Sequence, residues 1–380
     1  MQPQDSSSGT LIAGVRLPVV TAAESNMPAE KRVSGGLEDQ WGRVATDLRI
    51  SLTDRCNLRC QYCMPAEGLD WLPNDRVLSA DEIVRMARIG IEQLGVEEIR
   101  FTGGEPLLRK ELPQILAGVH RAHPEIPLSI TTNGLGLEKK ADELVAAGLT
   151  RINVSLDTIC PETFAELTRR DRLEGVLKGV QYAAQAGLRP VKINAVLMPG
   201  INDHQAPDLL SWALSNDFQL RFIEQMPLDA DHRWSREQTI TAAEIRELLS
   251  ERYTLRPYPG PRGSAPAALW EVYPHGADDN HMKTHEALGT VGIIASVTEP
   301  FCSTCTRTRL TADGKVRSCL FSQTETDLMS ILRSDASDEE IAAAWREAMW
   351  SKPAAHGKNG AGFDTHDFVQ PSRSMSAIGG

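Results

Sequence analysis

The sequence predicts an α/β fold with a smaller appended domain, and three observations lead there. Between residues 47 and 252, six short β-rich stretches alternate with helical patterns. From Arg256 the alternation stops, and a stretch rich in Pro and Gly takes over. The 380 residues, 41% hydrophobic and 24% charged, are enough for one large core and a second, smaller one. Six βα units in succession imply parallel strands with right-handed crossovers, as an open doubly wound sheet or a partial barrel.

In chain order, residues 1–44 mix Ser, Gly, Ala, Glu and Pro without a lasting period. They read as a mostly disordered lead-in with a short ordered piece around 14–22. Apolar or β-branched runs then predict strands at Leu48–Leu52, Glu98–Thr102, Leu128–Thr132, Arg151–Leu156, Val191–Val196 and Leu220–Gln225. The first intervening helix has a clear start: Ser79 and Glu82 form a capping-box pair before a periodic apolar run that ends at Gly95. Further helices are expected near 110–122, 138–147, 174–187, 203–215 and 242–251. Strands at Ala268–Tyr273 and Gly289–Val297 and helices near 325–333 and 338–348 make up the second domain. The expected division is 1–44 lead-in, 45–252 barrel or sheet domain, 253–351 C-terminal α+β domain, and 352–380 linker and tail.

Charge narrows the function classes. Lys and Arg total 40 against 51 Asp and Glu, a formal net charge of −11, which argues against a nucleic-acid coat but leaves room for a local basic pocket. No apolar run approaches the ~18 residues of a membrane span, and the first ten residues lack the basic and apolar regions of a signal peptide. The expectation is a soluble cytoplasmic protein with neither a nucleic-acid nor a membrane partner.

Six of the seven cysteines fall in two groups, Cys56, Cys60, Cys63 and Cys302, Cys305, Cys319. Cys160 stands alone and reads as an incidental small apolar residue. Grouped cysteines in a reducing compartment point to metal or redox chemistry. The first group is C-x3-C-x2-C just after the first strand. Three thiolates can hold three irons of a 4Fe–4S cube and leave the fourth open to a small ligand. The competing reading is a structural zinc site completed by a distant His. No His lies between Cys56 and Cys63, and the nearest is His120.

C-x3-C-x2-C with Tyr62 before its last Cys, followed by Thr102-Gly-Gly-Glu-Pro106, resembles the radical S-adenosylmethionine (SAM) superfamily. The resemblance implies a partial (β/α)6 barrel of the TIM type. It also implies an open iron that chelates SAM, and reductive cleavage of SAM to a 5′-deoxyadenosyl radical. Thr102-Gly-Gly, Thr131-Thr-Asn-Gly134, Ser155-Leu-Asp157 and Gln225-Met-Pro227 all fall at the carboxyl ends of expected strands, the face on which barrel enzymes build sites.

The second group, C-x2-C-x13-C, reads either as zinc completed by His281 or His285, or as a second cluster with an open iron. Two cysteine triads, Arg307 and Arg309 within the second, and a terminal Gly379-Gly380 resemble the GTP 3′,8-cyclase family of molybdenum cofactor biosynthesis. That resemblance runs from about Arg43 to Gly380. It implies two 4Fe–4S clusters, one on Cys56, Cys60 and Cys63 and an auxiliary one on Cys302, Cys305 and Cys319. SAM would be contacted by Tyr62, Gly104, Ser155 and Met226. GTP would be met by Arg49, Arg100, Thr131, Lys192, Arg307, Thr308 and Arg309, and Gly379 and Gly380 would reach into the active site. Arginine suits phosphate oxygens bidentately. The implied chemistry is hydrogen abstraction from C3′ of the ribose, attack on C8 of guanine, and reduction to 3′,8-cyclo-7,8-dihydro-GTP. Implied partners are a flavodoxin- or ferredoxin-type electron donor, cyclic pyranopterin monophosphate synthase downstream, and a second copy in a homodimer. The alternatives are a peptide-modifying radical SAM maturase and a zinc-binding scaffold without enzyme activity.

Overall fold

The computed structural model describes residues 27–33, 35–355 and 369–379, with the backbone alone at 11–12, 15–16, 279, 281 and 283. They form two compact units. One draws on residues up to 57, 67–128 and from 305 on, and the other on 58–66 and 129–304. Both are α/β, as the sequence predicts.

In the first unit the strand Asp47–Ser51 pairs in parallel with Glu98–Thr102 on one side and Arg307–Leu310 on the other. Lys315–Arg317 and Thr326–Asp327 extend this sheet antiparallel. Period-2 alternation divides it into two faces. Leu48, Ile50, Ile99, Phe101 and Leu310 are fully buried on one. The helix Asp338–Trp350 reaches that face, where Trp345 Nε1–H donates to Thr308 Oγ1 at 2.9 Å. The expected capping box is present: Glu82 N–H donates to Ser79 Oγ at 3.2 Å and Ser79 N–H to Glu82 Oε2 at 2.7 Å. It starts the helix Ala80–Leu94.

The second unit holds four parallel strands: Leu149–Ser155, Val191–Val196, Gln219–Ile223 and Gly289–Ile294. Leu128–Thr132 lies beside the first of them. Ala268–Pro274 and Tyr253–Pro257 add antiparallel at the other end. In Val191–Val196, Val191, Ile193 and Ala195 are buried while Lys192, Asn194 and Val196 stay partly open. That pattern leaves one polar face on the strand.

Several expectations are corrected. Within the lead-in expected over 1–44, residues 29–33 form a short helix, and Leu37–Glu38 pairs with Val44–Ala45, with Leu37 fully buried. The ordered piece expected near 14–22 falls mostly outside the described residues. The helix expected over 325–333 is a short strand at Thr326–Asp327 and one turn at Met329–Leu332. The strand Arg307–Leu310 was not expected, although the alternation Thr306-Arg-Thr-Arg-Leu-Thr311 is a period-2 pattern. A four-residue strand has little intrinsic preference, and its neighbour Asp47–Ser51 is far away in sequence.

At the antiparallel end of the first unit's sheet sits a buried charge network. Arg373 is 1% exposed, and its guanidinium donates to Asp313 at 3.0 and 2.8 Å and to Glu325 Oε2 at 2.7 Å. Arg317 donates to Glu325 Oε1 at 2.6 Å and to the Ser322 carbonyl at 2.5 Å. Two guanidiniums face two carboxylates, so the charges balance without solvent. Removing one member strands its partners in low dielectric, which costs about 3–5 kcal/mol. Glu325→Ala should therefore lower the urea midpoint of anaerobically purified protein sharply. Arg189→Ala, which breaks the exposed pair with Asp217, should leave it unchanged. Equal midpoints for the two variants would contradict the role given to the network.

Candidate functional site

In the first unit, strand register places the arginines. Arg309 pairs with Arg49 and Arg49 with Arg100, so three guanidinium-bearing residues lie side by side on adjacent parallel strands. One step nearer the strand starts, Arg307 is in register with Asp47, which pairs with Glu98. Burial alone would raise the Asp47 carboxyl. Arg49, Arg100, Arg307 and Arg309 bear on it, and the net result holds it below its ordinary value. Four guanidinium groups thus bear on one carboxylate. The cost shows on Arg309, which burial, and then the charges of Arg49 and Arg307, push down to about 9. A guanidinium remains charged at neutral pH even so. The face offers strong positive potential in a protein of net charge −11.

The Thr308 side chain lies apart from those of its neighbours, so a GTP contact at this position falls to its backbone. Thr308 is fully buried on the opposite face of its strand, where its hydroxyl accepts from Trp345. Its neighbours Arg307 and Arg309 point to the polar face, and the alternation of the strand sends Thr308 into the core. The side chain of Thr308 is a packing group.

At the carboxyl ends of the same strands, glycine is required twice. A Cβ on Gly104 would lie 2.3 Å from the Arg55 carbonyl oxygen and 2.5 Å from that of Asp54. This close approach lets Gly104 N–H donate to Thr53 O at 2.7 Å and Glu105 N–H to Arg55 O at 2.8 Å. The Gly-Gly-Glu-Pro segment is thereby tied to the residues immediately before Cys56. Gly379 is the second case. Its φ is +82°, and a Cβ there would come within 2.8 Å of Thr102 Cγ2 and 3.1 Å of Ser51 Cβ. Its carbonyl accepts from Arg309 Nη1 at 2.5 Å, and Gly379 is buried. One turn of helix, Met375–Ile378, leads to it from Arg373 and Ser374. Gly380 lies outside the described residues.

In the second unit the Tyr62 hydroxyl donates to Asp157 Oδ2 at 2.8 Å, and Val196 N–H donates to Asp157 Oδ1 at 2.8 Å. Burial raises the Asp157 carboxyl to about 6, although both donors pull it down. Burial, followed by the charge of Asp157, lifts the Tyr62 phenol well above its ordinary value. Tyr62 also lines a cavity of about 280 Å³ with Met198, Pro199, Ile201, Gln225 and Trp234. Ser155 and Met226, both half-buried, are not among its lining residues. Lys192 is in register with Asn153, and Asn153 contacts Thr131 Oγ1 at 3.5 Å. Arg221 Nη2 donates to Asn153 Oδ1 at 2.8 Å. Arg221 was missed in the sequence, although a charge in the apolar stretch Leu220-Arg-Phe222 is a signal that could have found it.

All seven cysteines are half-buried free thiols. Burial alone would raise Cys305, but Arg307 and Lys352 outweigh it and hold its thiol at about 6, so it is a thiolate at neutral pH. Among the described residues, no three Cys, His, Asp or Glu side chains close on a point that one metal ion could share. A cube asks for a different geometry, since each thiolate meets its own iron and the sulfurs stand apart. Two groups of three thiols are a donor set that fits iron–sulfur ligation. Among the described residues, no helix is long and apolar enough to cross a membrane.

Comparisons with known proteins agree with this chemistry. The profile of the "Radical SAM superfamily" matches residues 50–213, and that of "Molybdenum Cofactor Synthesis C" matches 218–358. The GTP 3′,8-cyclase of Paenarthrobacter nicotinovorans is 60% identical over 356 residues, covering 93% of this chain and 100% of the relative. That of Streptomyces coelicolor is 58% identical over 90% of this chain and 96% of its own. That of Mycolicibacterium smegmatis is 54% identical over 95% of both. Among solved structures, Streptococcus suis SuiB bound to precursor peptide SuiA superposes with a TM-score of 0.56 at 15% identity, covering 89% of this chain and 71% of its own. This likeness speaks to fold alone, and the fold is that of radical SAM proteins.

The Asp157 carboxyl supplies a pH test. With its folded value raised from 3.8 to about 6, the native state keeps a proton that the unfolded chain has lost. Its contribution to stability is therefore full below about pH 4 and is lost as pH rises through about 6, by about 3 kcal/mol. Asp157→Asn should remove that fall, so the stability difference between wild type and variant changes between pH 4 and 6 and stays constant above. Urea unfolding across this range reads it, and parallel curves would contradict the assignment.

Proposed function

Because this chain belongs to the GTP 3′,8-cyclase family within the radical SAM superfamily, we propose that its row of arginines, Arg309, Arg49 and Arg100, holds the triphosphate of GTP. The protein is a lyase of molybdenum cofactor biosynthesis that converts GTP to (8S)-3′,8-cyclo-7,8-dihydroguanosine 5′-triphosphate. It uses SAM and an iron–sulfur cluster. The observation that carries the proposed site is the register itself. Three guanidiniums in register on adjacent strands, with the Asp47 carboxylate beside them, match a group with about four negative charges.

In this reading Cys56, Cys60 and Cys63 hold the SAM-binding cluster, and Cys302, Cys305 and Cys319 hold a second. When bound, the first cluster supplies the electron that cleaves SAM to the 5′-deoxyadenosyl radical. The chain's own residues do the rest by placement. Arg307 and the backbone of Thr308 are further GTP contacts in this reading, as are Lys192 and Thr131, with Asn153 and Arg221 orienting Thr131. Tyr62, with Gly104, Ser155 and Met226, contacts SAM. Gly379 packs where the Asp47–Ser51 and Glu98–Thr102 strands end, and the terminal Gly379-Gly380 pair serves to exclude water and competing hydrogen donors. The proposal extends to a flavodoxin- or ferredoxin-type donor, to cyclic pyranopterin monophosphate synthase as the consumer of the product, to a homodimer in the cytoplasm, and to folding domains at 45–252 and 253–351.

Two variants separate the clusters. Cys60→Ala should abolish 5′-deoxyadenosine formation. Cys305→Ala should still cleave SAM slowly while making no cyclised nucleotide, with iron falling from about eight to about four per chain. Equal loss of both activities in both variants would contradict separate roles. Truncation after Ile378 should leave iron content and SAM binding intact and collapse the yield of cyclised GTP. Full-rate cyclisation by the truncated chain would remove the tail from the site.

A further inference from the structure

Lys352 lies two residues beyond the helix Asp338–Trp350 and is 2% exposed. Its backbone is fixed on both sides: Trp41 Nε1–H donates to its carbonyl at 3.1 Å, and its own N–H donates to Met349 O at 3.1 Å. Its ammonium has three donors, and each has an acceptor. They are the carbonyl of Arg307 at 2.9 Å, the carbonyl of Cys305 at 3.4 Å and the Sγ of Cys305 at 3.4 Å. Among the described residues, no carboxylate lies within ion-pairing distance of it. A buried ammonium facing only neutral carbonyls costs several kcal/mol, and proteins rarely leave one so placed. Of its three partners, the sulfur alone can carry a negative charge. It does so as a thiolate, free or bound to iron.

We propose that Lys352 is a positioning and tuning residue for the Cys305 ligand, donating a charged hydrogen bond to its sulfur and raising the reduction potential of the cluster held there. This rests on the reading that Cys302, Cys305 and Cys319 hold a second cluster. The physical reason is general. Donors to cluster sulfurs stabilise the more negative, reduced state, and an ammonium in a dry site does so more strongly than a neutral amide. The two carbonyl contacts aim the ammonium, because they belong to Cys305 itself and to Arg307 two residues on. Lys352 therefore sets both the charge beside the cluster and the path of the loop that carries one of its ligands. Its side chain meets the backbone of Arg307, a proposed phosphate contact, and acts through that loop.

The test isolates the second cluster by working in the Cys60→Ala background under anaerobic conditions. Iron and sulfide are counted first, and redox titration followed by electron paramagnetic resonance then gives the midpoint potential. Lys352→Met keeps the length and apolar stem and removes the charge. It should move the midpoint to more negative values by at least the equivalent of a tenfold change in the reduced-to-oxidised ratio, about 59 mV for one electron. Lys352→Arg, which keeps a cationic donor, should recover most of the shift, a recovery that a purely structural role would not produce. If the Cys60→Ala protein holds no cluster, both the two-cluster reading and this inference fall. If it holds about four irons and Lys352→Met leaves its potential unmoved, the second cluster stands and the role of Lys352 is wrong. Loss of the cluster from Lys352→Met, with Lys352→Arg at the wild-type iron count and potential, supports the positioning half of the claim.

Discussion

Four guanidinium groups bearing on one buried carboxylate are the constraint around which the first unit is arranged. Like charges in register on neighbouring strands repel, and such an arrangement persists only where the rest of the fold holds it and a ligand relieves it. The opposite face of these strands supplies the holding force, with Leu48, Ile50, Ile99, Phe101, Thr308 and Leu310 fully buried and Trp345 bonded to Thr308. Packing on one face thus supports electrostatic strain on the other. On the proposed reading, a site preorganised in this way does not have to gather its cations when substrate arrives.

The same logic explains the charge network at the antiparallel end of the sheet. Arg317 is in register with Arg309 and would lengthen the positive row, but Glu325 neutralises it in full burial. Arg373, sharing Glu325 and clamped by Asp313, ties the C-terminal segment to that point. From there a single helical turn spans the distance to Gly379, whose carbonyl closes on Arg309. The tail is located by buried ion pairs and needs little apolar surface of its own. Glycine at 379 then follows, because a Cβ there would come within 2.8 Å of Thr102 Cγ2.

What could be read in the sequence was what is local in it. The cysteine spacings, the Gly-Gly-Glu-Pro segment, the Ser79 and Glu82 cap and the positions of the six βα strands each depend on neighbours a few residues away. The partners that matter most do not. Arg307–Leu310 becomes a strand because Asp47–Ser51 offers it an edge, and that pairing sends the Thr308 side chain into the core. The hairpin at Leu37–Glu38 and Val44–Ala45 was likewise hidden in a polar, unperiodic stretch. Arg221 shows a different failure: its signal was present, but its hydrogen bond to Asn153 becomes visible only once the strands are in register.

The central claim is that the aligned arginines bind the triphosphate, and its most direct measurement compares GTP with guanosine. Equilibrium binding of both, anaerobically and over a range of salt, should show GTP favoured by wild type, with a preference that falls as salt rises. In Arg49→Met, loss of one charge-assisted contact should weaken GTP about 10- to 100-fold and leave guanosine nearly unchanged. An unaltered ratio of GTP to guanosine affinity in that variant would contradict the account.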